Sequence, residues 1–172
     1  MGDKTYRRDI TVPTSERRFE DYEVGSVCEF GPITLTQAEI IDFANIYDPQ
    51  SFHIDPEAAA TGPFGGIIAS GLHTFGMAFQ ILVKEFLPTT ASLGSPGLDE
   101  LRWLRPVRPG DLLTVRITVV EARRSSSKPD RGIVRTEWKM LDQDDQPVLT
   151  VSGLNLIAVR DRSPDREPAN DR

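Results

Sequence analysis

The side chains best suited to proton transfer near neutral pH are the chain's two histidines, His53 and His73. His53 follows Asp48 by five residues, in a passage rich in turn-forming residues. A tight turn over this distance can bring the carboxylate and the imidazole to within one water molecule of each other. Such a pair can polarise a water and share or deliver its proton. Taken alone, the same spacing is also typical of a turn cap followed by a surface histidine.

A run of small and apolar residues, 62–73, follows this pair. Gly71, at the start of a predicted helix, allows a ligand to approach the backbone closely. The free N–H groups of a helix start, with the helix dipole behind them, suit a developing negative oxygen such as that of an enolate. The alternative is structural, since small residues also let a helix enter a crowded interior.

These residues need elements to hold them in place. Residues 27–36 are predicted to form a strand, and a helix is predicted to begin at Thr36, where Glu39 completes a capping-box spacing. That helix should stop at Asp48, because the residue before a proline disfavours helical dihedral angles. A turn-rich passage, 49–66, is expected next.

Residues 70–87 predict a second helix, which Pro88 should end. Its apolar residues fall on every face, which indicates a helix buried all round. Only strands are predicted after it: 98–105, 112–120, 133–141 and 148–159, the last two forming a hairpin. The sequence therefore predicts an α+β fold in which an antiparallel sheet wraps around a long central buried helix, the hot-dog arrangement. The open sheet edge favours a homodimer or higher homo-oligomer.

Bulk composition narrows the function further. The chain has 172 residues, a net charge of −6, and 38% hydrophobic with 27% charged residues. These values predict a globular protein that binds neither nucleic acid nor a membrane. One cysteine, Cys28, and no signal-peptide pattern lead us to expect a cytoplasmic protein. We expect a polar N-terminal extension at 1–17, one domain at 18–160 and a disordered tail at 161–172.

Several segments together resemble a known family. Residues 48–59 and 64–74 resemble the hydratase motif of the MaoC-like dehydratases and R-specific enoyl-CoA hydratases. The segments 19–25 and 101–111 look like the same family's opening and its post-helix strand and turn. The resemblance implies a hot-dog fold and a carbon–oxygen lyase that adds or removes water at the double bond of an acyl-CoA thioester. The thioester is then a substrate, and neither a cofactor nor a metal is expected.

The resemblance also implies roles for individual residues. Asp48 would activate a water, and His53 would hold that water and relay a proton. The oxyanion and substrate-binding group is predicted to comprise Gly71, Ser70, Gln50 and His73. There are departures from the family's pattern, since Gln50 and Ser51 stand where many R-specific hydratases have Asn and Pro, and Phe79 stands where some have a serine.

Alternatives remain open at this stage. A hot-dog thioesterase also needs a carboxylate and a polarised thioester carbonyl, and a non-catalytic acyl-CoA-binding subunit would have the same fold. His73, two residues into the predicted apolar helix, is also typical of a core histidine whose ring nitrogens have partners. Arg102, Arg105 and Arg108 are candidates for contacts with coenzyme A phosphates, because arginine binds phosphate through paired hydrogen bonds.

Overall fold

The frame of the molecule is a five-stranded antiparallel sheet in a computed structural model that describes residues 6–160. The strands are β1 (Val27–Ile33), β2 (Leu98–Trp103), β3 (Leu113–Arg124), β4 (Arg131–Leu141) and β5 (Pro147–Ala158). They lie in the order β1-β3-β4-β5-β2, which makes β1 and β2 the two edges. The predicted hairpin of the last two strands is confirmed.

Alternating apolar residues give the sheet one buried face. Ile117 of β3 lies opposite Trp138 of β4, which in turn lies opposite Val151 of β5, and all three side chains are buried. Their neighbours along each strand point to the other face, as the two-residue period of a strand requires. The row of cross-strand contacts stabilises the sheet and forms the floor on which the helices pack.

The first helix follows its local sequence signals. α1 spans Gln37–Tyr47, and Thr36 and Glu39 form the predicted capping box at its start. The helix ends at Asp48, directly before the proline. Asp48 is thereby held at a helix terminus, in a defined position, although its own backbone is not helical.

The passage predicted to be turn-rich, 49–66, contains two short helices. These are α2 (Ser51–Ile54) and α3 (Pro56–Thr61). The side chain of Asp55 accepts hydrogen bonds from the backbone N–H groups of Glu57 and Ala58, so it caps α3. The proline at the first helical position suits this start, because it lacks an N–H that would have no partner there. The prediction of a turn-rich passage did not include these two short helices.

The second predicted helix lies across the buried face of the sheet. α4 spans Gly71–Ile81 and continues as a π-helical turn, Leu82–Phe86, that stops before Pro88 as expected. The ring of Phe75 stacks on that of Trp138 with 6.3 Å between centroids. A helix packed on a curved antiparallel sheet is the predicted hot-dog fold of the α+β class.

Burial of α4 on all sides, however, is not observed within one chain. Leu72, Phe79 and Val83 are 49%, 40% and 48% exposed. Their spacing of seven and four residues places them on one stripe of the helix. The five strands of a single chain cover only the opposite side, where Thr74, Ala78, Leu82 and Phe86 are buried. The prediction was wrong because the sequence cannot say how far one sheet reaches around a helix.

The N-terminal residues that the structure describes pack on the domain. Ile10 and Arg17 are buried, and the Arg17 guanidinium donates hydrogen bonds to the carbonyl oxygens of Val12 and Phe86. The predicted tail, 161–172, lies outside the described residues. Within residues 6–160, no helix combines the length and the hydropathy needed to cross a membrane.

Candidate active site

A cleft of about 490 Å³ opens at the amino end of α4. Its polar lining residues are Asp48, Gln50, His53, Thr74 and Arg105. The rest is mostly apolar and consists of Phe64, Ile68, Ala69, Gly71, Leu72, Trp103, Leu104, Pro106 and Val107. A cleft of this size with few polar groups is the usual character of a small-molecule site.

The two predicted acid–base residues meet in this cleft. His53, on α2, is 4% exposed, and its Nδ1 lies 2.7 Å from the carbonyl oxygen of Ile68. Because a carbonyl can only accept, Nδ1 carries the proton and Nε2 is the nitrogen that faces the cleft. Nε2 lies 3.4 Å from Oδ2 of Asp48. The spacing of five residues thus brings the carboxylate and imidazole together, as predicted.

Each oxygen of the Asp48 carboxylate also accepts a hydrogen bond. The Ser70 hydroxyl donates to Oδ2 at 2.7 Å, and the Gln50 amide donates to Oδ1 at 2.8 Å. Chiefly through Ser70 and then Gln50, these bonds hold the pKa of Asp48 below its usual range. Partial burial acts in the opposite direction but is outweighed. Asp48 is therefore a carboxylate at neutral pH, ready to accept a proton.

Gly71 lies at the first turn of α4, against the ring of Trp103. The Trp103 indole N–H donates to the Gly71 carbonyl oxygen at 2.8 Å. A Cβ at position 71 would lie 2.7 Å from two atoms of that ring, so glycine is required for this close contact. Among residues 6–160, no acceptor receives the Gly71 N–H, as expected at a helix start.

Two predicted substrate-binding residues lie elsewhere. His73 is absent from the cleft wall and stacks on Phe43 of α1, with 4.3 Å between ring centroids. Successive residues of an α-helix are rotated by about 100° around its axis. His73 is two residues beyond Gly71, so its side chain lies on the side of α4 away from the cleft. Ser70 is fully buried, and its hydroxyl is occupied by Asp48 and by the N–H of Leu72. Gln50 does line the cleft.

Trp103 lines the cleft, although no site role was predicted for it. Arg105, a predicted candidate for phosphate contacts, lines the cleft as well. Trp103 ends edge strand β2, and only the pairing of β2 with β5 brings it to the start of α4. In the sequence, the available signal for Trp103 was an aromatic residue at the end of a predicted strand. Of the three candidate arginines, only Arg105 belongs to the cleft wall; Arg108 instead donates to the carbonyl oxygen of Phe64.

Comparison with known proteins places this fold and site in a family. The model of the MaoC-like domain matches residues 19–139. The chain belongs to the MaoC-like domain family. The match includes both cleft-forming segments, from α1 to the start of α4 and from β2 to β3.

Similar proteins agree with this membership. The crystal structure of a MaoC-like dehydratase from Rhodospirillum rubrum superposes with a TM-score of 0.78 at 36% identity, over 84% of this chain and 99% of that one. Nodulation protein N of Rhizobium meliloti (strain 1021) is 32% identical over 145 residues, 79% of this chain and 84% of its own length. A 3-hydroxybutyryl-CoA dehydratase of Methylorubrum extorquens is 33% identical over 108 residues, covering 60% and 64%.

Proposed function

We propose that this MaoC-like protein adds water to, or removes it from, the α,β double bond of an acyl-CoA thioester. The observation that carries the proposal is the pairing of Asp48 and His53 at 3.4 Å, in a cleft whose wall includes the start of α4. The relatedness to a 3-hydroxybutyryl-CoA dehydratase supports the same reaction type. Neither a metal nor an organic cofactor enters this chemistry, because the thioester itself activates the double bond.

Hydration begins with a water held between the two side chains. The Asp48 carboxylate accepts one of its hydrogens, and the unprotonated Nε2 of His53 accepts the other. As the water oxygen bonds to the β-carbon, Asp48 takes the proton and the double-bond electrons move towards the thioester oxygen. The proton then returns from the Asp48–His53 pair to the α-carbon. Both groups lie on one side of the cleft, so the two additions occur on the same face.

The intermediate of this reaction is an enolate, whose negative oxygen needs a donor. The Gly71 N–H has no acceptor among residues 6–160 and lies at the positive end of the α4 dipole. A donor that is already in place when charge develops stabilises the transition state more than the ground state. Gly71 is therefore the proposed oxyanion donor. Arg105, at the same cleft, is the cation best placed to approach a phosphate of coenzyme A.

The test is a spectrophotometric assay with crotonyl-CoA and longer enoyl-CoA thioesters, followed by loss of the conjugated absorbance. Asp48→Asn should lower kcat by roughly 100-fold or more, as expected when a positioned base is removed. Asp42→Asn, on the exposed side of the same helix, is the matched control and should retain activity. Full activity of Asp48→Asn would show that Asp48 is not the base.

The same assay separates the other candidate functions. Release of free thiol while the double bond stays intact would identify a thioesterase. Stabilisation of the protein by enoyl-CoA on heating, with no turnover of either kind, would identify a non-catalytic acyl-CoA-binding subunit. The Asp48–His53 geometry favours the lyase, since mere binding of a thioester requires neither group.

We also propose that the active protein is a homodimer or higher homo-oligomer. Exposed apolar side chains occur on two adjacent surfaces, the α4 stripe and the edge around β2: Leu72, Phe79, Val83, Leu98, Trp103 and Leu104. Such a surface with an unpaired strand edge favours a second copy. Light scattering coupled to size-exclusion chromatography tests this, and a stable monomer would contradict it.

A further inference from the structure

Ser70 is the N-cap of α4 and also contacts Asp48, the proposed base. Its side chain is fully buried, and its hydroxyl oxygen accepts the backbone N–H of Leu72 at 3.2 Å, which caps the helix. The same hydroxyl donates to Oδ2 of Asp48 at 2.7 Å. One oxygen atom therefore contacts both the helix start and the carboxylate that the reaction requires.

The direction of these bonds follows from hydrogen counting. A serine hydroxyl has a single hydrogen, and the Leu72 N–H already supplies the hydrogen of the other contact. The hydroxyl hydrogen is thus free to point at Asp48. The Gln50 amide donates to the second carboxylate oxygen. With a donor on each oxygen, Asp48 is held as the anion and its plane is fixed.

We propose that Ser70 is a positioning residue that fixes the Asp48 carboxylate beside His53 and passes the polarity of the α4 start to it. The inference rests on the proposed function and deepens it by assigning a residue that does not touch the substrate. Ser70 is absent from the cleft wall, which Asp48, Gln50 and His53 line. A row of hydrogen bonds from helix amide to hydroxyl to carboxylate polarises each member in the same sense.

Ser70 would thereby influence the pH dependence of the reaction. The charged or titratable groups that line the cleft with Asp48 are His53, at 3.4 Å from it, and Arg105. The hydroxyl bond lowers the pKa of the Asp48 carboxyl, so its loss moves that pKa upward. Activity requires the deprotonated base and falls as pH drops through this pKa. The acidic limb of the kcat/KM profile should then move to higher pH without Ser70.

The deciding experiment compares Ser70→Gly with Ser70→Ala in the full chain. Glycine is nearly as good as serine at a helix N-cap, whereas alanine is poor. Both remove the hydroxyl and its bond to Asp48, but Ser70→Ala should lower Tm more than Ser70→Gly, because it also loses helix capping. Thr36→Ala, which removes the cap of α1 at the end remote from Asp48, is the control for helix capping in general.

A positioning role predicts that both Ser70 variants lose kcat by roughly 10- to 100-fold, as for a lost hydrogen bond to a charged group. KM should change little, and both acidic limbs should shift upward to the same extent despite their different Tm values. Thr36→Ala should keep the wild-type limb. If Ser70→Gly retains wild-type kcat and profile and only Ser70→Ala is impaired, Ser70 is a helix cap and nothing more.

A readout without turnover keeps this inference separate from the proposed function. In protein carrying ¹³C-labelled aspartate carboxyls, the Asp48 signal is identified by its disappearance in Asp48→Asn. Its titration midpoint should be higher in Ser70→Gly than in the wild type, whether or not any enoyl-CoA is hydrated. An unchanged midpoint would overturn the role of Ser70, whereas wild-type protein inactive on every thioester would overturn the proposed function alone.

Discussion

The two histidines of this protein lie near the same helix start and have opposite surroundings. The Nδ1 of His53 donates a hydrogen bond to the Ile68 carbonyl oxygen, and its Nε2 lies 3.4 Å from the Asp48 carboxylate. His73 lies against Phe43, nearly parallel to its ring, and its Nδ1 is buried with no hydrogen-bond partner within residues 6–160. One imidazole faces a cleft, and the other is packed between α1 and α4.

The difference shows that partners, more than residue type or helix proximity, determine what an imidazole can do. A fixed N–H on one nitrogen of His53 leaves the other as an acceptor of known direction. Around His73, burial lowers the pKa, and the nearby Glu39 carboxylate only partly opposes this. His73 therefore stays neutral and packs as a half-buried aromatic ring whose Nδ1 has no hydrogen-bond partner within residues 6–160.

The largest expected effect is the loss of kcat in His53→Asn, which we compare with the same replacement at His73. The asparagine amide can mimic Nδ1–H, so His53→Asn keeps a donor for the Ile68 carbonyl and removes only Nε2. We expect kcat for enoyl-CoA hydration to fall by roughly 100-fold or more, because the water loses one of its two acceptors. His73→Asn should change kcat by less than about threefold, measured where circular dichroism shows both variants folded. If both variants lose kcat to a similar extent, the two histidines do not differ in their contribution to the reaction.

Local signals were sufficient to predict several parts of this arrangement. The capping box at Thr36 and the stop at Asp48 depend only on neighbouring residues, and both are confirmed. The hairpin of β4 and β5, predicted from two strand-like segments joined by a short turn, is also confirmed. The proximity of Asp48 and His53 belongs to the same group, because five residues of chain leave few ways to separate them.

Features that depend on packing through space were not predictable in this way. The exposure of the α4 stripe depends on the extent of the sheet, and Trp103 reaches Gly71 only through the pairing of β2 with β5. Ser70 was predicted to belong to the oxyanion and substrate-binding group. Its actual direction is set by the position of Asp48, 22 residues earlier.

A second pair of variants, with a smaller expected effect, tests the wall of the cleft. Gly71→Ala would place a Cβ 2.7 Å from the Trp103 ring, so the ring must move and its bond to the Gly71 carbonyl is lost. We expect kcat/KM to fall by about tenfold, with a change in tryptophan emission. Gly76→Ala, where a Cβ meets nothing within 4 Å, should raise Tm by about 2–4 °C through helix propensity.

Those two glycines lie on the same helix, which makes the comparison internal. If Gly71→Ala keeps full activity and wild-type emission, the close contact with Trp103 has no part in shaping the cleft. If Gly76→Ala lowers Tm, the site is covered by something other than the described residues, and a second copy packed on the α4 stripe is the first explanation to examine by light scattering.

The smallest effect concerns stability and returns to the two histidines. Because burial lowers the pKa of His73 in the folded protein, the unfolded chain binds a proton more strongly once pH falls through about 6.5. The free energy of unfolding should therefore decrease from about pH 7.5 to about pH 5.5. His73→Phe keeps an aromatic ring against Phe43 and removes the titrating group, so its Tm should fall less over the same range.

Thermal unfolding at these pH values measures the difference, which should amount to a few °C at most for a chain of this size. His53→Asn is the natural control, since the sequence contains only these two histidines. If the pH dependence persists unchanged in His73→Phe, His73 is not the group that destabilises the folded protein as the pH falls.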